Sequence, residues 1–183
     1  LHRYIRRQRQ MCIRDSAEVL ALCTNTMHKV SEPMLEDVSI PFIHIAESTA
    51  KQITNDGFKK PALLATKFTM EEEFYISKLT EFGLNPIIPT EKSREILHSV
   101  IYDELCFNVK TDESRDKFIG IALEVQDNEA DSVILGCTEV GMLLNSENVK
   151  LPVYDTVVVH CRDIFNSIIS VSYTHLTLPT NVA

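Results

Sequence analysis

The sequence predicts an α/β protein with a mostly parallel sheet, and two observations carry that prediction. Apolar runs of strand length alternate with stretches whose apolar residues recur at helical spacing. Gly, Pro and Asp-Gly punctuate the changes from one to the other. A βαβα order of this kind lays helices on the faces of a parallel sheet. Ligands of such folds bind beyond the carboxyl ends of the strands, where the loops converge.

The elements follow in order. Residues 19–24 (VLALCT) read as a strand, 27–37 as helical, 40–46 (IPFIHIA) as a strand, and 47–55 as a helix ended by Asp56-Gly57. Residues 61–68 (PALLATKF) form the next strand, and Glu71, Glu72 and Glu73 make the acidic, solvated first turn of a helix that closes at Phe82-Gly83, where glycine serves as a C-terminal cap. LNPIIP, residues 84–89, is a short strand bracketed by prolines. Helices over 92–107 and 112–128 follow, the second with Phe118, Ile121, Ala122 and Val125 on one face. DSVILGC (131–137) and LPVYDT (151–156) are strands, and 157–169 closes as a helix.

Composition narrows the function classes. The formal charge of −8 divides into +4 over residues 1–16, from Arg3, Arg6, Arg7, Arg9 and Arg14 against Asp15, and −12 over the rest. An acidic body argues against nucleic-acid binding, which needs clustered Lys and Arg. No stretch reaches the roughly 18–20 apolar residues of a membrane span. Cys12, Cys23, Cys106, Cys137 and Cys161 show no C-x-x-C pair, so neither a zinc site nor a disulfide framework is indicated, and reduced thiols in the cytoplasm are expected. RQRQMCIRDS (7–16) and VSYTHLTLPTN (171–181) share neither the acidity nor the periodicity of the middle. Both resemble translated sequencing-adapter read-through, so residues 1–16 and 171–183 are expected to be a non-native head and tail.

Several polar residues fall where the strands end: Thr24, Asn25 and Thr26; Thr66; Cys137, Thr138 and Glu139; and Asp155 and Thr156. Taken singly, Thr66 and Thr156 read as helix caps. Cys137 follows Gly136, which lets the chain turn tightly, and it precedes a helical stretch whose free amides favour thiolate and can hold a carboxylate. That pairing suits proton abstraction next to a carboxylate. A buried, inert cysteine is the competing reading.

The words themselves add more. LCTNTMHKV, PFIHIAES, LLATKFTMEEEFY, IYDEL, VILGCTEVG and LPVYDTVVVH, in this order, closely resemble the aspartate/glutamate racemase family across residues 17–170. The resemblance implies two similar parallel-sheet α/β lobes facing a cleft, and a cofactor-independent racemase of acidic amino acids. Two thiols, one per lobe, would take and return the α-proton, with neighbouring amides and hydroxyls holding the substrate carboxylate. The residues so implied are Cys137 with Thr24 or Cys23 as the acid/base pair, and Asn25, Thr26, Thr66, Thr138 and Glu139 as substrate-binding. It implies no cofactor and a small-molecule amino-acid substrate, and leans toward a homodimer; no metal-ligand spacing or glycine-rich phosphate loop appears, so neither metal nor nucleotide is expected.

The chain departs from the family pattern twice. The family's C-N-T is here Cys23-Thr24-Asn25-Thr26, which puts Thr24 in the place of the first cysteine. Adjacent residues of a strand point to opposite sides, so Cys23 and Thr24 cannot both face the substrate without a bulge. A hydroxyl is a far poorer carbon base than a thiol of pKa about 8.5, so Cys137 is expected to dominate and one enantiomer, L by analogy, to react faster. The family's opening βα unit with its glycine-rich turn is also missing. The expected division is therefore 17–46 as a remnant of the first lobe, 47–150 as the second lobe, and 151–170 as a strand and closing helix returning to the first. Open sheet edges are expected to leave such a chain unstable or inactive.

Alternatives remain at this point. One is a hydantoin racemase or a small-dicarboxylate isomerase or decarboxylase of the same superfamily; another is a non-catalytic amino-acid-binding remnant. His28 and His160 read as surface or cap residues, His44 as a satisfied core residue, and Cys106 and Cys161 as helix packing.

Overall fold

The computed structural model describes residues 17–175, with side chains through 169. The expectations for the head, and for the tail beyond 175, lie outside the described residues. Two parallel sheets organise the chain. β1 (Leu20–Ala21) pairs with β2 (Phe42–Ile43), and β3 (Pro61–Leu64), β4 (Ser132–Leu135) and β5 (Val153–Asp155) form a sheet in that order. This is the α/β class read from the alternation.

The first sheet is minimal because its strands are cut short. Residues 26–30 wind into a 3-10 turn (Thr26–Val30) that runs into α1 (Ser31–Leu35). The 40–46 run yields only two strand residues, since His44 caps α2 (Ile45–Asn55) by accepting the Ala46 amide proton on Nδ1 at 3.1 Å. LNPIIP does not form a strand. Pro86 and Pro89 supply no amide donor, which leaves Ile87 alone to bridge Ala62, donating to the Pro61 carbonyl at 2.8 Å and accepting from Leu63 at 3.0 Å.

The helix expected from Glu71 is two helices, α3 (Lys67–Glu71) and α4 (Glu73–Glu81), broken where Glu72 takes an extended conformation. Glu72 is paired to Lys29 at 2.7 Å and Glu71 to Arg94 at 2.7 Å, so two of the three glutamates anchor tertiary contacts instead of facing solvent as a first turn. Gly83 at φ +76° ends α4 as expected.

α5 (Glu91–Asp103), a short 3-10 turn (Leu105–Phe107) and α6 (Asp112–Asp127) cover the larger sheet, and α6 buries Phe118, Ile121, Ala122 and Val125 as its spacing requires. β3 and β4 are buried along their whole length, and the core is continuous around them. α7 (Thr156–His175) packs on α2, and its backbone runs on into the segment set apart as a tail. The division by sequence grouped 151–170 with the first lobe; β5 pairs with β4 in the larger sheet, while α7 touches β2. Among the described residues no helix is long and apolar enough to cross a membrane.

Gly136 matters for close approach and not for the tight turn expected of it, because its φ is not positive. A Cβ there would lie 2.7 Å from Leu63 Cδ1 and 3.0 Å from the Ala65 Cβ, both in fully buried residues. Gly136→Ala is therefore expected to lower stability by about 1–3 kcal/mol, read from urea unfolding, by prying β4 from β3 directly below the cleft.

Candidate active site

The strand ends meet, as parallel topology demands, and a cleft of about 270 Å³ opens there. The chain after β1 supplies Thr24, Asn25, Thr26 and Met27 to its lining; Thr66 comes from the end of β3, and Cys137, Thr138 and Glu139 from the end of β4. Every predicted site residue except Cys23 lines it. Cys23 is exposed and contributes nothing to the lining; the strand has already ended at Ala21 and the chain bends at Cys23, with the Thr24 N–H donating to the Leu22 carbonyl at 2.9 Å.

Hydrogen bonds stitch the two sheets together at this point. Asn25 Nδ2 donates to Thr156 Oγ1 at 3.0 Å, and Thr156 Oγ1 donates to the Leu135 carbonyl at 2.8 Å. A hydroxyl has one proton to give, and the carbonyl can only accept, so the Asn25 amide orientation is fixed and its Oδ1 is left buried without a partner. The hydroxyls of Thr26, Thr66 and Thr69 lie 3.1–3.2 Å from one another. Thr66 stands at the N-cap position of α3 as expected, but its hydroxyl makes no cap bond and joins this triangle, and at α7 it is Asp155 Oδ1, not Thr156, that accepts the Val157 amide proton, at 2.8 Å.

The chemistry around Cys137 is that of a held proton. Its Sγ donates to Glu139 Oε2 at 2.9 Å, and Thr138 Oγ1 donates to the same oxygen at 2.6 Å. Burial, reinforced by the Glu139 carboxylate, pushes the Cys137 thiol up to about 12. The thiolate expected from a helix N-terminus is therefore not favoured, because only a three-residue 3-10 turn, Val140–Met142, follows and too few amides align to offset desolvation. Burial opposes the charge of Glu139, but the two donated hydrogen bonds outweigh it and hold the carboxyl below its usual range. A carboxylate in this state accepts hydrogen bonds, so the Glu139 side chain suits an ammonium group, while a substrate carboxylate needs the donors expected of neighbouring amides and hydroxyls.

Sequence reading missed part of the lining. Ile101, Tyr102 and Cys106 reach the cleft from α5 and the turn after it. Cys106 and Cys161 were expected to pack inside helices, yet both are exposed. Iodoacetamide is accordingly expected to label Cys23, Cys106 and Cys161 well before Cys137, as read by peptide mass spectrometry, since alkylation needs an accessible thiolate. His28 and His160 are not surface residues: they are 2% and 3% exposed, and sit with His44 behind the Thr24–Thr26 segment.

Comparison with known proteins identifies the fold and the family. The family described as Asp/Glu/Hydantoin racemase matches residues 4–164, a span that begins inside the segment set apart as a head. The broad specificity amino-acid racemase RacX of Bacillus subtilis (strain 168) is 23% identical over 150 residues, which are 78% of this chain and 61% of RacX. A crystal structure of a Yersinia pestis protein described as a candidate Asp/Glu racemase is 35% identical with a TM-score of 0.82, covering 86% of this chain and 69% of that one. An aspartate racemase homologue from Pyrococcus horikoshii OT3 is 30% identical with a TM-score of 0.79, covering 87% and 70%. The chain thus spans about three fifths of RacX and somewhat over two thirds of the two structures. A family match across most of its length, joined to structures of the same fold, makes this chain a member of the Asp/Glu/hydantoin racemase family.

Proposed function

We propose that the protein is a cofactor-independent racemase of acidic amino acids, in which Cys137 and Thr24 exchange protons with the substrate α-carbon. The observation that supports this most is at Cys137: a half-buried thiol donating to a carboxylate, in a cleft shared with Thr24, Asn25 and Thr26. Glu139 holds the Cys137 thiol at 2.9 Å, and the thiolate left when that proton passes to solvent is a strong base because the site disfavours it. It takes the α-proton, and the carbanion is reprotonated on its other face by the Thr24 hydroxyl, which regains its proton from solvent. The hydroxyl's weak acidity makes the two faces unequal, with the L enantiomer the faster by analogy with the family.

The substrate class is tested by chiral chromatography after incubating the chain with L-aspartate, L-glutamate, L-alanine and a 5-substituted hydantoin. Appearance of D-aspartate or D-glutamate well above D-alanine is the expected result. Turnover of the hydantoin alone would replace the proposal with the hydantoin reading, and binding of aspartate without any inversion would leave an amino-acid-binding protein.

A further inference from the structure

We propose that His28 is the positioning residue of the first half of the site: its Nδ1–H fixes the Thr24 carbonyl, while its Nε2 ties the same loop to the start of α2. The activity readout rests on the racemase reading, whereas the tautomer does not.

The proton count settles which nitrogen does what. The Ile45 amide reaches His28 Nε2 at 3.3 Å, and an amide N–H can only donate, so Nε2 carries a lone pair. A neutral ring has one proton, which therefore sits on Nδ1 and is donated to the Thr24 carbonyl at 2.6 Å. Burial favours the neutral ring and lowers its pKa to about 4. Its neighbours cannot exchange roles with it. His44, 4.2 Å away between ring centroids, uses Nδ1 to accept from Ala46, and His160, at 6.3 Å, is engaged through Nε2 with the Ile43 carbonyl.

The consequence falls on Thr24 in particular. Asn25 is held through its side chain by Thr156, and Thr26 through its hydroxyl by Thr66 and Thr69. Among the described residues the Thr24 hydroxyl has no hydrogen-bond partner; Thr24 is placed by its backbone alone, its N–H donating to the Leu22 carbonyl at 2.9 Å and its carbonyl accepting from His28. The Thr24 carbonyl carbon is bonded to the Cα that bears the hydroxyl side chain, so losing its anchor on His28 frees the Thr24 backbone to move and its side chain with it. Such a displacement, of the order of 1 Å, costs about 10²-fold in rate.

Two substitutions separate positioning from packing. In His28→Asn the side-chain amide N–H takes the place of Nδ1–H and the acceptor is lost; in His28→Gln the side-chain oxygen reaches the place of Nε2 and the donor is lost. Each variant loses one hydrogen bond, so thermal unfolding should move alike in both. With L-aspartate as the probe, kcat for α-deuterium exchange is expected to fall about 30-fold or more in His28→Gln with KM little changed, and to recover to within about threefold of wild type in His28→Asn. Equal losses in the two variants, or retention by Gln, would overturn the inference. Imidazole ¹⁵N NMR of the wild-type chain at pH 7 adds a readout that needs no turnover. A Nδ1-protonated ring is expected, with the Asn25 amide shift kept in His28→Asn and moved in His28→Gln; a Nε2-protonated ring would overturn the proposal. A wild-type chain that shows no exchange at all would count against the racemase reading, and the NMR result would still decide for or against His28.

Discussion

Replacing Cys137 with serine is expected to cut α-proton exchange from L-aspartate by about 10³-fold or more, the loss that follows removal of a positioned acid/base group. Serine can still donate to Glu139 Oε2, as the cysteine does at 2.9 Å, so the carboxylate keeps its partners and the cleft its charge. What disappears is the acidity, because even a thiol pushed up to about 12 is a far better proton carrier than an alcohol. The position is only half-buried and the side chain shrinks by little, so the melting temperature should hold to within a few degrees. Exchange in C137S at the wild-type rate, followed by ¹H NMR in deuterated water, would remove Cys137 from the chemistry.

Acidification from pH 7 to pH 5 is expected to destabilise the fold by about 4 kcal/mol, through His28 and His44 together. Burial lowers His28 to about 4; burial, then the nearby His28, Lys78 and His160, lower His44 to about 3. Both rings are thus neutral in the folded chain while the unfolded chain binds protons below the ordinary histidine value near 6.5. Stability is full above that value, falls as the unfolded state gains protons, and stops falling only once the folded rings protonate near pH 4 and 3. Protonating either ring would also set a charge beside an amide that donates to it: Ile45 N–H at His28 Nε2 and Ala46 N–H at His44 Nδ1. Since domains of this size are stable by only about 5–15 kcal/mol, the effect should be plain in urea midpoints at pH 7, 6 and 5. Equal midpoints across that range would contradict the buried, neutral state of the two rings.

Periodicity is a local signal, and what it encodes was readable. The face of Phe118, Ile121, Ala122 and Val125, the run from Ser132 to Leu135, and the gathering of Thr24–Thr26, Thr66 and Cys137–Glu139 at one end of parallel strands all follow from residues close in sequence. What stayed hidden depends on partners far along the chain. Glu72 interrupts a helix while paired to Lys29, 43 residues before it, and His160 is buried against a carbonyl 117 residues away. Cys106 enters the cleft because a 3-10 turn after Asp103 redirects the chain, which no apolar spacing announces. The state of the Cys137 thiol was misread for a related reason. Sequence shows that a turn follows it, but whether enough amides align to stabilise a charge, and how much water remains, are properties of the folded cleft.

The central claim is an unequal pair of proton carriers in one cleft: the thiol of Cys137, held by Glu139, and the hydroxyl of Thr24. Rates of deuterium uptake at the α-carbon, measured by NMR at saturating L-aspartate and at saturating D-aspartate, test it most directly. The account predicts saturating rates that differ by about tenfold or more, with KM differing in the same proportion because the enantiomers have equal free energy, since a thiol and an alcohol are unequal acids and bases. Equal rates from the two enantiomers would mean two equivalent proton carriers and would contradict it.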